Sequence, residues 1–204
     1  MIKELEIEGF CHIKNNRISL NRDVVFENET SSFSEFIKAA YKELDTKYPK
    51  FFKMDNLSKL AFLAADILLK QEPSEEERNI AVILSNRASS LDTDRKHQES
   101  IANSDHYYPS PAVFVYTLPN ICIGEISIKH KLFSENSFFI FDHFNATHLY
   151  AYTQSLLETN KAKKVLCGWV DFDENAYEAF LYLVSENGSI EHNTEEINRL
   201  YNTL

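Results

Sequence analysis

Asp142, His143 and Phe144 stand where an apolar stretch, Ser137 to Phe141, runs into a helix-forming segment. A corner of this kind is where open α/β enzymes place a nucleophile, because the free amides of a helix N-terminus favour negative charge. No Ser or Cys occupies it here. His143 could serve as a general base or hold an anion, with Asp142 orienting its imidazole. Consecutive residues of an extended segment point to opposite faces, which works against that pairing. The alternative is that His143 fills space as an inert, hydrogen-bonded side chain. Asp142, His143 and His148 carry ligand atoms, but their spacing matches no well-attested metal site. No metal and no cofactor are expected.

The other reactive residues are less suggestive. Cys11, Cys122 and Cys167 are odd in number, widely spaced and set among apolar neighbours. They read as buried, reduced thiols and not as a disulfide frame or a zinc site. Two lysine groups, Lys47, Lys50 and Lys53, and Lys161, Lys163 and Lys164, could each form a basic patch or simply a solvated face. The formal net charge of −10 argues against nucleic acid and anionic membrane as partners. The first residues, MIKELEIEGF, carry charges where a signal peptide needs an apolar core. No stretch is long and apolar enough to span a bilayer, so a cytoplasmic protein is expected. With 44% hydrophobic residues and only 4 Gly and 5 Pro, the composition favours one domain over residues 1–204.

These residues need elements to position them. Residues 2–26 alternate as strands do, and Asn15-Asn16 suits a tight turn, so an N-terminal hairpin is expected. Ser32 or Ser34 can cap a helix through Phe36, Ile37, Ala40, Tyr41 and Leu44. Asp55 can cap a second helix, apolar nearly all round, from Leu57 to Leu69. After an acidic loop, Glu72 to Glu77, the run NIAVILSN reads as a central parallel strand covered on both faces. A short helix is expected around Arg95 to Ala102. Pro119 should break the helix that begins near Pro111, and Gly124 suits the close approach of a neighbouring backbone. Ser137 to Phe141 and Lys164 to Phe172 read as buried strands flanking a half-buried helix through Leu149, Thr153 and Leu156. A turn at Asp173–Asn175 leads to an antiparallel strand, Ala179 to Ser185, and a last helix spans Thr194 to Tyr201. Alternating helices and buried strands predict an α/β fold with a mixed five-stranded sheet between helical layers.

The middle of the chain, residues 50–185, resembles the N-terminal half of a β-ketoacyl synthase, the condensing enzyme of fatty-acid and polyketide synthesis. MDNLSKLAFLAADILL is similar to that family's early buried helix, NIAVILSN to its central strand, and SPAVFVYTLPNICIGEISIKHKL to its Ser-Pro segment, with Asn120 and Gly124 in place. KAKKVLCGWVD is similar to the piece that ends in a Gly-Gly pair and an acid, here Gly168, Trp169 and Asp171. Counted along this stretch, the family's nucleophilic Cys falls on His143. The His or Asn residues that polarise the thioester belong to a C-terminal half this chain lacks.

The resemblance implies a thiolase-like half-fold, with residues 1–48 as an N-terminal extension carrying the hairpin and a helix. Decarboxylative condensation needs a thiolate and donors for the developing oxyanion, and neither is present. The resemblance therefore implies a non-catalytic partner subunit of the chain-length-factor kind, paired with an active ketosynthase or with a second copy. The interface strand would be Asn136 to Asp142, with Phe138, Phe139 and Phe141 at the contact. Two other readings stay open: an acyl-thioester transferase or hydrolase using His143, and a module docking an acyl carrier protein through Lys161, Lys163 and Lys164.

Overall fold

The computed structural model describes residues 4–29, 32–73 and 78–203; residues 2–3 of the N-terminal strand region and 74–77 of the acidic loop lie outside them. The strand β4 (Ile80–Asn86), expected at the centre of the sheet, lies one strand in from its edge, yet every residue of it is buried. It pairs in parallel with β5 (Asn136–Ile140) on one side and with β6 (Lys164–Asp173) on the other. A strand walled on both faces and both edges leaves no position for a solvated side chain, so its sequence is almost continuously apolar. From β4 the chain passes through α3 (Leu91–Ile101), α4 (Pro111–Val115) and α5 (Ile121–His130) to β5, then through α6 (Ala146–Glu158) to β6. The first connection moves outward in the sheet and the second moves back across β4. Right-handed crossovers in opposite directions must lie on opposite faces.

The N-terminal strands β1 (Glu6–Lys14), β2 (Arg17–Leu20) and β3 (Asp23–Glu27) join this same sheet. Together with β7 (Ala176–Ser185) and the two-residue β8 (Ile190–Glu191) they bring it to eight strands, with β8 off the main order β3-β2-β1-β7-β6-β4-β5. This exceeds the five expected from the sequence. The hairpin is no appendage: β7 has paired one edge with β6, and β1 covers its other edge from Glu6 to Lys14. Asn15 and Asn16 adopt φ of 50° and 56°, the conformation a two-residue hairpin turn requires. Asn21 and Arg22 make a second such turn, with φ of 51° and 82°, so the region holds three strands.

Helices cover both faces. On one side lie α1 (Phe33–Glu43), α2 (Asn56–Leu69) and α5, with a 3-10 turn at Pro49–Lys53. Ser32 and Glu35 form a reciprocal capping box at the start of α1. Asp55 caps α2 by accepting the Ser58 N–H at 2.9 Å. Because α2 packs on β1, β6 and β7 and also against α1 and α5, nearly every residue from Leu57 to Leu69 is buried. The opposite face is covered by α6 and α7 (Thr194–Tyr201). Thr147, Ala151, Ser155 and Glu158 of α6 are exposed, so that helix keeps one solvated side. Among the described residues, no helix is long and apolar enough to cross a membrane.

Two expectations need correction here. The strand β5 is not buried but lies at the sheet edge, half-exposed, with Ile140 50% accessible. Gly124 meets no close backbone either: a Cβ built there has nothing within 4 Å. In the middle of a helix with open space around it, Gly only weakens the structure. Gly124→Ala should raise the stability of the chain by about 0.5–1 kcal/mol, measured by urea denaturation. A loss of stability would mean that a neighbour does pack there.

Candidate functional site

The loop after β4 turns toward one face and the loop after β5 toward the other. Their parting, at the C-terminal ends of the parallel strands, is where open α/β sheets bind ligands. Phe141 continues the strand, donating its N–H to Asn86 O at 2.9 Å, and the chain bends at Asp142 and His143 into α6. The helix start is already satisfied: Asn145 Oδ1 accepts the His148 N–H at 2.9 Å. Behind the bend, Phe144 stacks on Tyr201 of α7, ring centroids 4.1 Å apart, and meets Phe180 and Trp169 edge-on. Across the crevice, Asp171 Oδ1 accepts the N–H groups of Arg87 and Ala88 at 3.1 and 2.9 Å, fixing the loop after β4. An acyl pocket behind the corner would need the volume that these aromatic rings fill.

Asp142 and His143 are both exposed, so His143 does not fill buried space at the corner. Among the described residues neither has a hydrogen-bond partner, and neither lines any of the five principal surface cavities. His148 points elsewhere, packed edge-on against Phe139 and Phe141. Among the described residues, no three His, Cys, Asp or Glu side chains converge as metal ligands. All three cysteines are buried and free, as expected. Burial pushes the Cys167 thiol up to about 12 and those of Cys11 and Cys122 higher still, so none supplies a thiolate near neutral pH.

The aromatic run of β5 splits between the two cores. Phe138 packs against the core that includes α2, and Phe139 against the core under α6. Phe141 stacks on Phe139 at 5.9 Å and 14°. All three rings, expected at an interface by resemblance, are only partly exposed; nearby, Ile140, Phe133, Ile128, Phe114, Val115 and Leu118 are more open, between 46% and 72% accessible. Periodicity gave little warning, because a helix broken at Pro119 into pieces of five and ten residues shows no long stripe.

The lysine groups are also divided. Lys164 lies between Glu8 and Glu72, at 2.8 and 2.7 Å, and Lys161 pairs with Glu135 at 3.2 Å, which leaves Lys163 as the exposed member without an ion pair among the described residues. Lys47 pairs with Asp45 at 3.0 Å. Lys50 reaches Glu125, a buried carboxylate that also accepts the hydroxyls of Tyr48 at 3.0 Å and Tyr116 at 3.1 Å. A second buried acid, Asp66 on α2, contacts Thr46, Lys70 and His130 at 2.8, 3.0 and 3.1 Å. Burial alone would raise its pKa; the hydrogen bonds from His130, Lys70 and Thr46 outweigh that and hold it below the usual carboxylate range. Both acids tie helices together. Asp66 could have been suspected, as the one charge between Leu60 and Leu69.

No family model matches the chain, and no curated protein matches it. Solved structures do. The ishigamide ketosynthase/chain length factor superposes over 89% of this chain with a TM-score of 0.66 at 15% identity. A ketosynthase in complex with its chain length factor from Xenorhabdus doucetiae gives 0.58 over 91% of the chain, also at 15% identity. A β-ketoacyl synthase from Burkholderia phymatum gives 0.60 over 97% at 11% identity. The matched region spans 62%, 80% and 61% of those chains respectively. At such identities the likeness fixes the fold: a mixed α/β sheet between helices, of the thiolase-like kind seen in ketosynthases and chain length factors.

Proposed function

We propose that this chain is a ketosynthase-like partner subunit of the chain-length-factor kind, which completes a dimer with an active ketosynthase in polyketide or polyene synthesis. The observation that carries the reading is the open edge of β5. The bonds Val82 N–H to Glu135 O and Phe141 N–H to Asn86 O mark the odd-numbered positions as those facing β4. By the two-residue period of a strand, Asn136, Phe138 and Ile140 then direct their main-chain groups outward, where no strand pairs with them among the described residues. An edge flanked by exposed Phe133 and Ile140 is a template for another strand. Two of the similar structures are, by their descriptions, a ketosynthase with its chain length factor. The corner supports the same reading, since it offers neither nucleophile nor pocket.

The enzyme reading through His143 has less support, because that side chain lacks both a cavity and an orienting partner. The carrier-docking reading is weakened by the two carboxylates that hold Lys164.

The test is co-expression with a full-length ketosynthase, with the mass of the purified assembly measured by light scattering. A complex of one copy each is expected. Ile140→Pro removes an outward N–H while keeping the bonds to β4, so it should reduce complex formation at least tenfold without unfolding the chain. A dimer of this chain alone, dissolved by the same change, would put a second copy on that edge. Formation of the complex untouched by Ile140→Pro would defeat the edge-pairing reading. Turnover of acyl or malonyl thioesters by the lone chain, abolished by His143→Ala, would defeat the non-catalytic one.

A further inference from the structure

A cavity of about 230 Å³ opens between the start of α2, α3 and α4, away from the corner after β5. Met54, Ala112, Val113 and Tyr116 form its apolar wall, and Lys53, Lys59 and Lys96 line it from three elements. Lys96 is held by Asp92 at 2.6 Å. Lys53 and Lys59 have no ion-pair partner among the described residues. Lys59 is half-buried; burial pushes its pKa down, and the charges of Lys38 and Lys96 push the same way while Asp55 opposes them. The acid in the lining, Asp55, is already committed: Oδ1 accepts the Ser58 N–H at 2.9 Å and Oδ2 the Thr93 hydroxyl at 2.8 Å.

An ammonium partly removed from water, with no counter-charge in contact, carries a desolvation cost that an arriving anion offsets. Three lysines lining one cavity, two of them without an ion-pair partner among the described residues, are notable on a chain of net charge −10. The apolar wall adds a second requirement, since a bare inorganic ion would leave it wet.

We infer that this cavity binds an oxyanion, a carboxylate or a phosphate monoester, borne on a short apolar stem. At about 30 Å³ per water-sized unit, the volume holds the charged group and roughly four to six carbons. The inference does not depend on the partner reading, because every residue it uses belongs to this chain.

Titration calorimetry of the purified chain with hexanoate, hexyl phosphate, inorganic phosphate and hexylammonium tests it. One or both alkyl oxyanions should bind with saturation, and which of them does so distinguishes the carboxylate from the phosphate. Inorganic phosphate should bind at least tenfold more weakly, and hexylammonium not at all. Lys59→Gln should weaken binding at least tenfold. Val113→Trp, which fills the cavity without altering charge, should abolish it. Should Lys59→Gln fail to fold, Lys53→Gln on the exposed rim should still weaken binding several-fold. The proposal is overturned if neither alkyl oxyanion binds at millimolar concentration, if inorganic phosphate binds as tightly as they do, or if binding survives the lysine and Val113 substitutions unchanged.

Discussion

Gly168→Ala should destabilise the chain by about 3 kcal/mol or more, the largest effect expected of any single methyl group added to it. Gly168 lies in β6, between β4 and β7, with φ of 155°. A Cβ at that position would sit 2.0 Å from the carbonyl oxygen of Phe180 and 2.9 Å from Leu181 Cα, both main-chain atoms of the neighbouring strand. Main chain cannot turn away as a flexible side chain can. Relief therefore requires β6 and β7 to separate, and the Ser85 hydroxyl, which donates to Gly168 O at 3.0 Å, would lose its geometry as well. For a chain of this length the cost corresponds to a fall in melting temperature of roughly 6–12 °C, against a total stability on the order of 5–15 kcal/mol. Thermal unfolding of the variant beside Gly124→Ala, which should move the other way, is the check. Equal melting temperatures for the two would mean that the strands at Gly168 part without cost.

The contrast between these glycines shows what the sequence could convey. Gly168 and Gly124 are the same letter, and only the distance to the next backbone separates a glycine required by packing from one that weakens a helix. Local signals were legible: Ser32 with Glu35, Asp55 with Ser58, the Asn15-Asn16 turn and the break at Pro119 each depend on neighbours within four residues. The all-apolar strand β4 was legible because burial on every side leaves a continuous run. The start of α3 at Leu91 was not, because only Thr93 of that helix is buried and its charges hide the period. The place of β5 was not legible either. Phe138, Phe139 and Phe141 read as buried whether a strand is walled on both edges or open on one, since edge position is set by which strands pair. Likewise, the exposed His143 became apparent only once Phe144, and not its neighbour, was seen to turn inward onto Tyr201.

Acid should unfold this protein in a window set by two histidines that take no part in the proposed interface. His12 in β1 and His192 before α7 are 2% and 4% accessible, and burial lowers the pKa of each from 6.5 to about 4. His12 lies flat on Phe180, centroids 4.5 Å apart, while Glu178 and Lys14 act on it in opposite senses. Among the described residues, neither ring nitrogen of His192 has a hydrogen-bond partner. The folded state thus binds these protons less readily than the unfolded state does. Their contribution to stability is complete above pH 6.5 and drains away as the pH falls toward 4. A displacement from 6.5 to about 4 corresponds to roughly 3 kcal/mol for each ring at the lower end of the window. Carboxylates held below their usual range, such as Asp66, Glu35 and Glu196, give up their stabilisation at lower pH, and Asp55, which burial raises, acts in the opposite sense, so a loss between pH 6.5 and 4.5 points to the histidines. Urea denaturation at a series of pH values should show stability falling through that interval. His12→Phe, which keeps the stack on Phe180, should remove about half of the loss, and adding His192→Phe nearly all of it. If the doubly substituted chain still loses as much stability between pH 6.5 and 4.5 as the parent, the protons are taken up elsewhere and the buried rings are not what makes the fold acid-labile.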